Sequence, residues 1–325
     1  MSSNVSRRSF IKQSAVVGAS SFIGAGMLSC QGGEDQPATG EAASATSRGP
    51  RSNAISVVTG DRYFDNTILA VDQIGGMGQF VSEGSRVAVL ANPQRNNPGA
   101  FTRPAVVAAV VSMCREAGAE RVSCLSWQPE QNWENTGIAE AISKEGGELV
   151  IADRRDESLF NPVPIPSGVA LEEARLMAEL DNYDVLIDVP ITKDHAGNKF
   201  TGTLKNFMGL NSPESNQLFH QENWTTDIGA ITHLEQCIAD LNTVITPDLC
   251  VVDATEFITT GGPFGPGDLL RPQKIVAGTD RVAIDAYCCT LWGLAPHDII
   301  AIAKAFEHGL GEMDLSKVQI SEVQA

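Results

Sequence analysis

From residue 55 onward, short uninterrupted apolar runs alternate with stretches whose apolar residues recur every three or four positions. The runs Ile55–Val58, Arg86–Leu90, Arg121–Leu125, Glu148–Ala152, Asp184–Pro190, Asp248–Asp253 and Lys274–Ala277 read as buried strands. Between them, Asn66–Phe80, Arg103–Ala117, Asn132–Glu145, Leu171–Leu180, Asp227–Leu241, Asp280–Leu291 and Asp298–His308 carry the helical period, several of them stopped by glycine. Residues 153–166 form an irregular, charged, proline-containing connection. Strands separated by helices of this length predict a doubly wound, mostly parallel sheet flanked by helices. The expected architecture is one compact α/β domain over residues 55–325, with an inserted lobe over 154–225. No internal repeat or coiled coil is evident.

The first thirty residues follow another logic. Ser6-Arg7-Arg8-Ser9-Phe10-Ile11-Lys12 has the twin-arginine export pattern, and an uncharged, mildly apolar run extends from Ser14 to Leu28. That run is too short and too rich in Gly, Ala and Ser to read as a membrane span. Met27-Leu28-Ser29-Cys30 fits a lipoprotein cleavage box with Cys30 as the lipid acceptor; simple cleavage nearby is the alternative. Residues 31–54 read as a disordered tether. The expected partners on this side are the twin-arginine translocase and, through Cys30 alone, a membrane. The destination is the periplasm or cell surface.

Charge narrows the classes of ligand. The chain has a formal charge of −17. Removing residues 1–29 takes away Arg7, Arg8 and Lys12 and no acid, so the charge falls by three, from −17 to −20. Such a surface excludes nucleic acid and an anionic bilayer as partners. Six cysteines follow Cys30, namely Cys114, Cys124, Cys237, Cys250, Cys288 and Cys289, and none forms a C-x-x-C pair. An iron–sulfur or zinc motif is therefore absent, and burial as small hydrophobes is the expected role.

Against this acidic background, three of the chain's eight lysines, Lys193, Lys199 and Lys205, fall within residues 191–209. They follow a strand ended by Pro190 and surround Thr201-Gly202-Thr203, which suits the start of a helix near Leu204. Lys193, Lys205, Gly202, Thr203, Asn206 and the amides near Leu204 are thus candidates to hold an anion or cofactor, with Lys199 on the solvated rim. A second glycine-rich loop, Thr259–Gly267, includes Gly261 and Gly262 and follows the strand ending in Asp253. Parallel topology places it at the same sheet edge. Neither loop matches a dinucleotide or P-loop pattern.

His195 lies in the first loop and His220 in a candidate lid, residues 211–226, that also holds Trp224. Either imidazole could act as general acid/base, with Asp253, Glu256 and Asp285 the acidic candidates, although Asp285 could equally cap or salt-bridge structure. His195 and His220 with Asp253 or Glu256 form a conceivable metal set, although no dense ligand spacing marks it. His233, His297 and His308 read as structural. No G-x-S-x-G elbow supports a serine hydrolase.

The pattern Lys193-x-His195 … Thr201-Gly202-x-x-Lys205-Asn206-x-Met208-Gly209 resembles the hallmark of domain-of-unknown-function family 362, a bacterial and archaeal family. The likeness extends to Pro93, Thr102 and Arg103–Ala117, to Ile238–Leu241 and Asp253, to Gly261-Gly262-Pro263, and to Gly278–Ala286. Many relatives carry a ferredoxin-like cysteine region, which this chain lacks, and often a lysine after the second strand, where Asn92 stands here. There is also a distant, fold-level likeness to lactate-racemase-type proteins, whose nickel cofactor is tethered to a lysine. The family's chemistry is largely undefined, so two expectations stand. One is an exported enzyme, of redox or isomerase type, binding an anionic small molecule or cofactor; a metal is allowed. The other is a non-catalytic binding lipoprotein for an anionic ligand.

Overall fold

A computed structural model describes residues 53–325; the export signal, the cleavage box and most of the tether lie outside the described residues. In chain order the strands are β1 (Ile55–Thr59), β2 (Arg86–Ala91), β3 (Arg121–Ser126), β4 (Glu148–Ile151), β5 (Phe160–Pro164), β6 (Glu173–Met177), β7 (Val185–Val189), β8 (Leu249–Ala254), β9 (Phe257–Ile258), β10 (Leu269–Leu270), β11 (Lys274–Gly278) and β12 (Ile320–Gln324). Eight of them form the main sheet in the order β12-β1-β11-β8-β7-β2-β3-β4. Every pairing is parallel except the two made by β11, so the expected doubly wound, mostly parallel sheet is observed.

Period-2 alternation explains why both faces are covered. Val87 and Val89 of β2 enter one buried cluster, whereas Ala88 and Leu90 enter the other. The first cluster is closed by the helices Tyr63–Asp72, Pro104–Glu116 and Ile138–Lys144. The second is closed by Ile228–Leu241, Arg281–Thr290 and Ile300–Glu307. The crossovers β2→β3→β4 run over one face, and the connection β7→β8 runs over the other. Strand order therefore reverses between β2 and β7, and a crevice opens at their carboxyl ends.

Three sequence expectations fail locally. Residues 171–180, expected as a helix, form β6 and a 3₁₀ turn, and the irregular 153–166 connection contains β5, which pairs with β6 as a hairpin. The helix expected over 132–145 is two short helices broken at Gly137, whose φ of 75° is left-handed. The tail residues 320–324 form β12, an edge strand parallel to β1. Among the described residues, no helix is long and apolar enough to cross a membrane.

Candidate functional site

The crevice at the β2/β7 reversal is a cavity of about 520 Å³. Four neighbouring parallel strands supply its wall just past their last residues: Asn92 after β2, Trp127 after β3, Arg154 after β4 and Lys193 after β7. Lys205, His195 and His220 complete it, with Pro263 and Phe264 from the second glycine-rich loop. The two loops meet as expected. The Asp194 amide donates to the Ile258 carbonyl at 2.8 Å, and the Gly262 amide donates to the Asp194 carboxylate at 2.8 Å. Gly262 is required there, because a Cβ would lie 1.9 Å from the Asp194 carbonyl oxygen.

Lys193 is only 1% exposed. Its ammonium donates to the Ala100 carbonyl at 2.6 Å and to Asn92 Oδ1 at 3.3 Å, both neutral acceptors. Burial, reinforced by the charge of Lys205, pulls its pKa down to about 7. Asn92 Nδ2 reaches Asn206 Oδ1 at 3.4 Å; Asn206 in turn donates to Asp188 Oδ1 at 2.7 Å and to the Leu90 carbonyl at 3.0 Å. Asn206 thus orients the lysine's partner while also lining the cavity. Burial holds the Asp188 carboxyl well above the usual carboxylate range.

Lys205 is half-buried on the single-turn helix Thr203–Asn206, and its one hydrogen-bonding partner among the described residues is the Met208 thioether at 3.6 Å. A thioether is a weak acceptor, so this ammonium is poorly satisfied from within the protein. Burial draws its pKa down to about 8, opposed by attraction to Glu235, which does not line the cavity. Thr201 Oγ1, in the cavity wall, has no hydrogen-bond partner among the described residues.

The two histidines share one arrangement. Nδ1–H of His195 donates to the Ala196 carbonyl at 2.9 Å, and Nδ1–H of His220 donates to the Asn216 carbonyl at 2.8 Å. A carbonyl only accepts, so each ring carries its proton on Nδ1 and presents a bare Nε2 lone pair. Burial, then the charge of Lys205, lowers both pKa values, that of His195 well below the ordinary 6.5. Trp224 lies against both rings, at 5.3 Å from His195 and 4.8 Å from His220 between centroids.

Several sequence candidates are corrected. The amides of Thr203 and Leu204, expected to hold an anion, donate to the carboxylate of Asp285 at 2.7 and 3.0 Å. Gly202 makes room for that carboxylate, since a Cβ there would stand 2.2 Å from Asp285 Oδ1. Thr203 Oγ1 donates to the Arg281 carbonyl at 3.1 Å, so Thr203 faces inward too. Asp253 accepts from the Arg103 amide at 2.7 Å and from Thr255, which ties it to a helix start. Glu256 pairs with Arg103 and Arg271. Neither acid joins His195 and His220. Among the described residues no three His, Cys, Asp or Glu side chains converge as a metal set. The Gly262 amide is taken by Asp194 and is not free for a cofactor, while the Gly261 carbonyl accepts from the Gly265 amide within the loop. Lys199 is exposed, as expected of a rim residue.

Sequence reasoning missed Arg95, Arg154 and Trp127, although the rule that ligands sit beyond the carboxyl ends of parallel strands points to all three. Arg154 lies over the Trp127 ring at 5.5 Å, and Arg95 over Phe264 at 5.2 Å. Their guanidiniums sit at the mouth, and among the described residues no Asp or Glu lines the cavity.

Thylakoid-associated protein sll1697 of Synechocystis sp. is 26% identical over 274 residues, 79% of this chain and 80% of that protein. The lactate racemase apoprotein from Thermoanaerobacterium thermosaccharolyticum is 14% identical with a TM-score of 0.44 over 74% of this chain. The match spans 57% of that racemase chain. The model described as Domain of unknown function (DUF362) matches residues 87–290, which include both loops and, but for Arg86, the four strands that wall the cavity. The chain belongs to the DUF362 family.

Proposed function

We propose that this is an exported enzyme that binds an anionic small molecule or cofactor in the β2/β7 crevice and moves a proton on it, chemistry of the redox or isomerase type. The observation that carries the reading is a cavity walled by Lys193, Lys205, Arg95 and Arg154, with no lining acid, in a chain of formal charge −17. Positive charge concentrated against the sign of the whole surface favours an anion at that one place. Lys205, short of acceptors, is the principal anion contact, and Lys193 lies deeper. His195 and His220 supply neutral imidazoles whose bare Nε2 atoms suit general bases. A proton taken by Nε2 of His195 leaves negative charge on the bound molecule, and the two ammoniums stabilise it.

The twin-arginine pattern and the cleavage box at Cys30 support an extracytoplasmic station with a lipid anchor. The name of the thylakoid-associated relative is in keeping with a station beside a membrane.

The test starts from protein recovered through its own export route. Native mass spectrometry should find a stoichiometric small anion that Lys205→Ala no longer retains. In heavy water, the eluted compound should exchange a carbon-bound hydrogen with wild-type protein. His195→Gln should bind the compound and exchange it at least a hundredfold more slowly. Binding without any exchange would leave only the non-catalytic binding reading, and absence of any anion binding would sink both.

A further inference from the structure

The anion cavity does not end at His220. A second cavity of about 570 Å³ continues from it, sharing Trp127, Arg154, Asn216 and His220 and adding Trp224. Both tryptophans are half-buried, so their side chains remain partly open. Trp127 follows β3 at the sheet edge, and Trp224 belongs to the segment between the helices Pro213–Phe219 and Ile228–Leu241. Half-exposed indoles from two separate parts of the chain therefore border one recess beside a cluster of cations. A lone acetate- or phosphate-sized ion would occupy a small fraction of the first cavity.

From this adjacency of two indoles and an acid-free cationic pocket, we propose that the natural ligand is a planar aromatic or heteroaromatic ring joined to a carboxylate or phosphate. The acid group sits against Lys205, and the ring lies in the recess bordered by Trp127 and Trp224. This rests on the anion-binding reading and extends it, naming the ligand class. Aromatic faces hold flat rings by stacking, and a guanidinium such as that of Arg154 reinforces the arrangement from the edge or face. Stacking tolerates different ring types, so the recess selects for flatness, while the cations select for charge.

The test uses the full chain and two matched probe pairs, acetate with benzoate and inorganic phosphate with phenyl phosphate, titrated by calorimetry. Stacking on one indole predicts that the ring-bearing member of at least one pair binds about tenfold tighter or more. Trp127→Ala should bring that ratio close to one. Trp224→Leu should lower the ratio independently, and it carries the test if circular dichroism shows that Trp127→Ala has not folded. Equal affinity within both pairs would overturn the ring subsite and leave the anion site standing. A ratio that survives both substitutions would overturn it as well. Failure of all four probes to bind would remove the anion reading and the ring subsite together.

Discussion

At the scale of single residues, the protein supplies its own anion to the helix start beneath Lys205. Asp285, 1% exposed, accepts from the Thr203 and Leu204 amides and caps a helix too short to hold itself. Its burial pushes the carboxyl up to about 7 despite those two bonds. Asp285→Ala would remove the cap and strand two buried N–H groups, with a cost of about 2–4 kcal/mol. Chemical denaturation should show that loss. Anion affinity should fall too, because Lys205 would lose the turn that aims it. A variant as stable as wild type would mean that the turn is held elsewhere. Buried capping of this kind is invisible in a sequence: Thr201-Gly202-Thr203 announces a helix start, but the partner of its amides lies 82 residues away from Thr203.

At the scale of elements, the site depends on two loops held edge to edge, and the contact has no slack. Gly262→Ala would drive a Cβ into the Asp194 backbone and push the 259–267 loop away from the crevice. The expected outcome is a loss of anion affinity of about tenfold or more, with Pro263 and Phe264 displaced from the wall. Calorimetric titration with benzoate checks it, and unchanged affinity would show that the second loop is only a neighbour. Strands buried on both faces, such as Val87–Leu90, were legible because a short, valine-rich apolar run bounded by polar and turn residues suits a sheet covered on both sides. The 171–180 stretch misled for the opposite reason. Leu171, Ala174, Met177 and Leu180 recur every three residues among good helix formers, yet pairing with Phe160–Pro164 and a bond from the Arg175 amide to Asn211 override propensity. The edge strand β12 was missed because only Ile320 and Val323 are apolar in a polar tail. The cationic loop was legible as local excess charge. Arg95, Arg154 and Trp127 carry no such local signal, and only their places after parallel strands point to the site.

At the scale of the whole molecule, net charge and local charge oppose each other, and pH separates them. The surface carries −17, while the cavity holds two ammoniums whose pKa values burial has brought to about 7 for Lys193 and about 8 for Lys205. An anion binds the protonated forms, so each lysine supports binding below its own value and ceases to do so as pH rises through it. For a probe that stays ionised throughout, such as benzoate, affinity should be level near pH 6. It should then fall as pH rises through about 7 and about 8, approaching a requirement for two protons per anion by about pH 9. His195 adds no step, because its pKa lies well below 6.5 and the ring is neutral across that range. The window in which both ammoniums are charged while the imidazole is a free base therefore lies between the value of His195 and that of Lys193, on the mildly acidic side of neutrality. Lys205→Met should weaken benzoate at pH 6 and leave a single step, that of Lys193, moved upward from about 7 because the charge of Lys205 no longer depresses it. Calorimetry across this range, repeated in two buffers with different protonation enthalpies, counts the protons taken up. An affinity independent of pH would show that neither lysine titrates in contact with the anion.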